Sequence, residues 1–394
     1  MNIPRIILKS GKDRPLHRFH LWVFSGAIKN IEGEPKDGDW VEVFDNQEHF
    51  LAAGHFNNGS IKVRVLSFQK ETPDESFWQK RIQSGVNHRK SLGFFDDPNT
   101  NVFRLVHGEG DLLPGLIIDY YAGVCVLQAH SVGMFRNRHL IVEALKNVFK
   151  DDLMAIYDKS DHVLNLREKP GFEGEFLWGE CEKVKVMEYG NTFEIDFING
   201  QKTGFFVDQR ENRNLLTKYA QGKYVLNMFC YTGGFSVYAA QAEAKEVTSV
   251  DVSANAIAQC RHNMSLNGFS GDSYQCLDLD AFEYLNNLDP NYDLIILDPP
   301  DFAKHRSALN NALKGYRKIN EKAIGQIKPG GILFTFSCSQ VVDKDAFRKS
   351  IFTAAANTGR QVRVLHQLSQ PADHPVNIYH PEGEYLKGLV LQVD

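Results

Sequence analysis

Val225-Leu-Asn-Met-Phe-Cys-Tyr-Thr-Gly-Gly-Phe235 is an apolar run that breaks into a glycine turn and then into helical sequence. Downstream of about residue 200 the same rhythm repeats. Strands are expected at 224–229, 246–251, 273–277, 293–298 and 331–337, with helices at 235–244, 254–267, 281–288 and 308–327 between them. Leu294-Ile-Ile-Leu and Ile332-Leu-Phe-Thr-Phe are nearly continuous apolar runs, as a parallel sheet covered on both faces requires. The pattern predicts a doubly wound, Rossmann-like α/β domain in the C-terminal half.

Upstream the patterns differ. Before residue 69, short strands are punctuated by Gly33, Gly38, Gly54 and Gly59. In Ile61-Lys-Val-Arg-Val-Leu, apolar and charged residues alternate with period two, the mark of a half-buried strand. A small β-barrel is expected there. Thr72, Pro73 and Glu75 suggest a capping box opening a helix through Phe77, Trp78, Ile82, Val86 and Leu92. Strands at 102–107, 116–121, 124–129, 153–157 and 163–167, a helix near 135–149 and a hairpin at Tyr189-Gly190-Asn191 make the middle block α+β. The expected domains are therefore 1–69, 70–195 and 196–394.

The 394 residues are 43% apolar and 24% charged, which excludes disordered, collagen-like and disulfide-stapled chains. No run of eighteen apolar residues marks a membrane span, and the N-terminus does not read as a signal peptide. The six cysteines include no C-x-x-C pair, so neither a zinc site nor a redox dithiol is expected. Widely spaced thiols suggest a reducing cytoplasm. A net charge of −5 confines any nucleic-acid binding to local patches.

Ligands of such a sheet bind outside the carboxyl ends of its strands, where the strand order reverses. The turn after Val225–Phe229 lacks G-x-G-x-x-G, so it offers no tight diphosphate loop. Asp251 ends the second strand, where a carboxylate can accept ribose hydroxyls, and Asp280 follows the third, where it can meet an adenine edge. A nucleoside cofactor without a diphosphate points to S-adenosyl-L-methionine. Its expected contacts are Phe229, Tyr231, Thr232, Gly233, Asp251, Val252, Asp280, Ala281 and Asp298.

The fourth strand ends in Asp298-Pro-Pro-Asp-Phe302, where consecutive prolines force an extended exit. Such a loop would hold the Asp298 carboxylate against the edge of a planar base and let Phe302 stack on it. The fifth strand ends in Thr335-Phe-Ser-Cys-Ser-Gln340, which brings Cys338 to the same sheet edge. A thiolate there can add to C6 of a pyrimidine and make C5 nucleophilic enough to accept a methyl group. The other cysteines, Cys125, Cys181, Cys230, Cys260 and Cys276, are expected to be small buried hydrophobes.

Together with Arg104-Leu-Val-His-Gly-Glu, Leu113-Pro-Gly-Leu-Ile-Ile-Asp, Gly200-Gln-Lys-Thr-Gly-Phe-Phe-Val-Asp-Gln-Arg210, Asp373-His-Pro and Pro381-Glu-Gly-Glu-Tyr-Leu-Lys-Gly, these motifs span the chain. The set resembles bacterial class I S-adenosylmethionine-dependent 23S rRNA (cytosine-C5) methyltransferases of the large-subunit I type. The resemblance implies an N-terminal PUA RNA-binding domain, Gln209 and Arg210 closing over the cofactor, and Cys338 as nucleophile. Two departures from the family pattern are Asn227, where Asp is common, and Asp301, where a basic residue is usual.

Within residues 1–30, basic residues including Lys9, Arg14 and Arg18 interleave with Phe19 and Trp22. That mixture suits phosphates and unpaired bases, although Trp22 reads equally well as a barrel-core residue. Lys202 is a further expected phosphate contact, and 23S rRNA the expected partner. A homodimer is expected on general grounds alone. Two other readings remain open: methylation of a base nitrogen such as one of guanine, and a non-catalytic ribosome-assembly factor that binds RNA.

Overall fold

The alternation in Ile61-Lys-Val-Arg-Val-Leu works as expected: Val63 and Val65 are buried, while Lys62 and Arg64 stay partly exposed. A computed structural model describes residues 3–162, 172–288, 291–303 and 305–394. The chain packs into two compact units. One comprises Met1–Val186, Ile195–Val207 and Ala372–Gly383; the other comprises Met187–Glu194, Asp208–Pro371 and Glu384–Asp394.

The first unit opens with strand β1 (Arg5–Leu8), helix α1 (Arg14–His17), and strands β2 (Trp22–Phe24), β3 (Ile28–Glu32), β4 (Trp40–Phe44), β5 (Phe50–Phe56) and β6 (Ile61–Ser67). They form a six-stranded sheet in the order β2-β6-β5-β4-β1-β3, with β1 and β4 parallel. Ile6, Leu8, Val41, Val43, Val63 and Val65 fill its core. Gly54 is required where β5 crosses β6, because a Cβ there would lie 2.0 Å from the Arg64 carbonyl oxygen.

Helix α2 (Glu75–Ser91) starts later than the capping-box reading expects. Asp74, not Thr72, is its cap: Asp74 Oδ1 accepts from the Phe77 amide at 3.0 Å. Aspartate caps better than threonine, and this start also places Glu75 in the first turn, at the positive end of the helix dipole. Strands β7 (Val102–His107), β8 (Leu116–Tyr121) and β9 (Val124–Ala129) follow. The single helix expected near 135–149 is two, α3 (Val132–Arg136) and α4 (Arg138–Phe149). Between them Asn137 leaves helical geometry, and its side chain donates to the Gly133 carbonyl. β10 (Ala155–Asp158) and β11 (Glu175–Trp178) complete a sheet ordered β11-β10-β9-β8-β7. The strand expected at 163–167 lies outside the described residues. β12 (Val184–Glu188) and β13 (Asn191–Ile195) form the expected hairpin. Tyr189 and Gly190 both take positive φ, as a two-residue hairpin turn demands.

The second unit continues with α5 (Arg210–Ala220), β14 (Tyr224–Met228), α6 (Gly234–Gln241), β15 (Glu246–Asp251), α7 (Ala254–Leu266), β16 (Tyr274–Asp278) and α8 (Ala281–Asn286). Then come β17 (Leu294–Leu297), α9 (Leu309–Gln326), β18 (Gly331–Ser337), α10 (Lys344–Thr358), β19 (Val362–Ser369) and β20 (Lys387–Val393). Apart from α5, which the pattern did not predict, the elements up to residue 337 lie within a turn of those expected. Beyond it, α10, β19 and β20 are additions: the sheet order is β16-β15-β14-β17-β18-β20-β19, and β20 runs antiparallel to both neighbours. Five of the eight residues of β19 are exposed, so it carries none of the continuous apolar signal of the inner strands. The order reverses between β14 and β17, which makes their carboxyl ends the natural ligand edge.

Beneath that edge lies a buried ion pair. Arg213 on α5 donates through Nε and Nη2 to the two Glu188 carboxylate oxygens, each at 2.8 Å, and Tyr238 OH reaches Glu188 Oε1 at 3.0 Å. Arg213 also runs under the start of α6, where a Cβ on Gly234 would meet its Cδ at 3.0 Å. Truncating one member of such a pair strands the other charge in a medium that cannot solvate it. Arg213→Leu is therefore expected to destabilise the fold by about 3–5 kcal/mol, read as a lower urea midpoint in equilibrium unfolding of the whole chain.

Candidate active site

The turn after β14 is held in an unusual conformation. Phe229, Tyr231 and Gly233 all have positive φ (58°, 48° and 82°), and two of them are aromatic. Left-handed backbone costs a side-chain-bearing residue on the order of 1 kcal/mol, so neighbouring groups must hold it. They do: Asp251 Oδ2 accepts from the Tyr231 amide at 2.9 Å, and the Cys230 amide donates to the Val250 carbonyl at 3.0 Å. Gly233 is required twice over, by its φ and because a Cβ would lie 2.5 Å from Cys260 Sγ on α7. Thr232 is buried, and its carbonyl accepts from Asn263 Nδ2.

Asp251 Oδ1 takes the Ser253 amide at 3.0 Å, so each carboxylate oxygen carries one backbone bond. A carboxylate has roughly four acceptor positions, which leaves capacity for two hydroxyls. Asp280 caps α8 through Oδ1, accepting from the Phe282 and Glu283 amides. Val252 is 71% exposed and Leu279 47% exposed, an apolar residue beside each of these acids. Ala281 packs in the core, so only its backbone can face a ligand.

The neighbouring strand ends form a second cluster. Asp298 follows β17, and its Oδ2 accepts from Gln209 Nε2 at 3.1 Å; Gln209 Oε1 in turn accepts from Asn212 Nδ2 at 2.6 Å. Gln209, Asn212 and Arg210 are all buried, with Arg210 Nε 3.2 Å from Glu211 Oε1. Gln209 thus orients the Asp298 carboxylate. Cys338 is half-buried just past β18. The two loops are tied together: Ser339 Oγ donates to the Ala303 carbonyl at 2.9 Å, and Asp301 Oδ1 caps the Ala303 amide. Ser337 Oγ donates to Tyr316 OH at 2.9 Å.

Phe302 is half-buried. Its ring seats on α9, 4.8 Å from the Tyr316 ring and over Gly315. Apolar burial against the helix outweighs exposure to solvent, which the sequence around the prolines did not reveal. Cys125, Cys230, Cys260 and Cys276 are buried as expected, and burial raises the Cys125 thiol far out of the reactive range. Cys181 is only half-buried, its thiol donating to the Lys183 carbonyl.

Family models match residues 103–381 as an S-adenosylmethionine-dependent methyltransferase and residues 6–68 as a PUA-like domain. The chain is 39% identical to the ribosomal RNA large subunit methyltransferase I of Alteromonas mediterranea, over 99% of this chain and 98% of that one. It is 40% identical to the protein of the same name from Aeromonas hydrophila, over 98% of each. The chain belongs to this methyltransferase family. A candidate SAM-dependent methyltransferase from Streptococcus mutans shares the fold over 100% of both chains, with a TM-score of 0.84 at 24% identity.

The methyltransferase uses S-adenosylmethionine, and its sheet edge fits that molecule. Asp251 and Asp280 would supply acceptors, the exposed Val252 and Leu279 would offer apolar faces to a purine, and the turn after β14 offers no diphosphate cradle. Residue spacing alone missed Leu279, Asn212 and Tyr316. Asn212 had a signal, since it follows Gln209 by one helical turn.

In the first unit, Lys9, Arg14, Arg18 and Lys202 are exposed. Trp22 is engaged instead: its Nε1 donates to Glu109 at 2.8 Å and its ring meets His380 edge-on at 4.4 Å. Phe19, Phe24 and Tyr379 are the exposed aromatics of this region. His20, His380 and Glu382 sit close together, but their ligand atoms spread to 4.8 Å, against a tetrahedral zinc edge of about 3.4 Å. No helix among the described residues is long and apolar enough to cross a membrane.

Removing the Asp251 carboxylate deletes the bond to the Tyr231 amide, one of the two that hold the turn, together with the acceptors that would meet a ribose. Asp251→Ala is expected to weaken S-adenosylmethionine binding by about ten- to a hundredfold, measured by titration calorimetry.

Proposed function

We propose that this methyltransferase modifies C5 of a cytosine in 23S rRNA, with Cys338 as covalent nucleophile. The observation that carries the reading is that Cys338 and Asp298 follow adjacent strands, in a register where Leu297 pairs with Thr335, and that Ser339 ties their loops together. The names of the relatives, ribosomal RNA large subunit methyltransferases, supply the substrate class.

The cofactor supplies a methyl group on a sulfonium, which leaves without its bonding electrons. Asp298, oriented by Gln209, receives the amine and ring-nitrogen edge of the cytosine. Cys338 loses its thiol proton to solvent, and its sulfur adds to C6 as the C5=C6 electron pair moves toward C5. C5 takes the methyl carbon, its proton is lost to solvent, and the returning electron pair expels the Cys338 thiolate. A cytosine nitrogen or oxygen would need no thiol.

Three segments divide the work in this reading. Residues 1–69 hold RNA through Lys9, Arg14 and Arg18, with Lys202 as a further phosphate contact; 70–195 connect; and 196–394 hold cofactor, base and nucleophile. Phe229, Tyr231, Thr232, Gly233, Val252 and Ala281 line the cofactor through backbone or apolar contact. Phe19 and Phe24 are better placed than Trp22 to stack on unpaired bases, since Trp22 is already packed.

Cys338→Ala is expected to lower 5-methylcytosine formation by roughly three orders of magnitude or more while leaving cofactor binding intact, read by mass spectrometry of nucleosides from 23S rRNA. Unchanged 5-methylcytosine in that variant, or a methyl group on a base nitrogen, would overturn the reading. Replacing Arg14 and Arg18 together by Ala should weaken RNA binding and flatten the plot of log K against log salt by about 0.7 per lost phosphate contact, measured by filter binding over a salt series.

A further inference from the structure

β20 begins with a lysine where its other residues are almost all apolar. Lys387 is only 6% exposed. An ammonium group withdrawn from water is costly unless it is bonded, so its partners show what it is for. In the sheet register Lys387 stands opposite Ser337, the last residue of β18 and the one before Cys338. Its Nζ donates to the Ser339 carbonyl and, at 2.5 Å, to the Val342 carbonyl. Both acceptors belong to the loop that leaves β18 with Cys338 at its start.

The charges around it are specific. Burial lowers the Lys387 ammonium to about 8, while Cys338, Asp301, Asp343 and Glu384 push it back up, Cys338 most strongly. At neutral pH such a lysine is still about nine-tenths protonated. Cys338 and Asp301 also act on Tyr316, whose phenol burial keeps firmly protonated. Lys344 pairs with Glu384 at the rim. Lys387 is thus a buried cation coupled to Cys338, with Asp301, Asp343 and Glu384 as the carboxylates that act on it.

We propose that Lys387 is a positioning residue for Cys338: its ammonium clamps the loop carrying the thiol and supplies the positive charge that stabilises the thiolate before it adds to the ring. This rests on the reading of Cys338 as nucleophile. Holding two carbonyls needs only a donor; steadying a thiolate needs a charge. Lys387→Met removes both, and Lys387→Arg keeps both.

The test follows iodoacetamide alkylation of Cys338 in the full chain by peptide mass mapping, between about pH 6 and pH 9. In the unaltered protein the alkylation midpoint is expected below the ordinary thiol value of about 8.5. Lys387→Met should slow alkylation at neutral pH by about tenfold, the equivalent of one pKa unit, and lower kcat by a similar factor with cofactor affinity unchanged. Lys387→Arg, which keeps the charge, should restore alkylation to within about threefold. Calorimetric cofactor binding checks that each variant is folded. Should Lys387→Met fail that check, the profile of the unaltered protein decides, and a midpoint at or above the ordinary value overturns the proposal. Cys338→Ala that is inactive, together with Lys387→Met alkylated at the unaltered rate, overturns the Lys387 role alone. Cys338→Ala that still yields 5-methylcytosine overturns the nucleophile reading beneath it.

Discussion

A parallel sheet delivers the carboxyl ends of its strands to one edge, and there the ladder stops providing hydrogen-bond partners to the backbone. Each chain that leaves β14, β15, β16, β17 or β18 must find other partners for its amides and carbonyls within a few residues. In this protein they are side chains of the neighbouring strand-end loops. Asp251 takes the Tyr231 amide, Asp280 the amides that open α8, Ser339 the Ala303 carbonyl, and Lys387 the Ser339 and Val342 carbonyls. The sheet edge is thereby both finished structurally and populated with polar groups at defined positions.

Structure and chemistry consequently share residues. Asp251 both holds a left-handed turn and keeps acceptor capacity for a ligand, because a carboxylate can serve several donors at once. Asp298 is oriented by Gln209, which Asn212 fixes from the following turn of helix. Serine is useful on both sides of Cys338: small enough to leave the thiol accessible, polar enough to bind Tyr316 OH and the Ala303 carbonyl. The buried Arg213–Glu188 pair supports the floor under α6, where Gly234 lets the arginine pass closely.

Much of this was readable beforehand, and the exceptions have physical causes. Continuous apolar runs reveal covered parallel strands, so β14 to β18 and the edge carrying Asp251, Asp298 and Cys338 follow from local pattern. β19 and β20 do not: one is an edge strand with mostly exposed residues, and the other opens on a lysine. The capping box at Thr72 was a reasonable local match, displaced by a better cap two residues on. The seat of Phe302 on Gly315 and Tyr316, residues thirteen and fourteen positions away, was not readable from its own neighbours. Trp22 likewise spends its indole N–H on Glu109, far along the chain.

From the order of residues alone came the alternating rhythm, the family, the acids at strand ends and the identity of the accessible thiol's neighbours, because these depend on periodicity and on groups close in sequence. Only the tertiary structure decided which buried cation attends Cys338, which amide orients Asp298, and which aromatic rings remain exposed. Those outcomes depend on strand order and packing between segments tens to hundreds of residues apart, where pairing energies that no local pattern encodes select one partner among many.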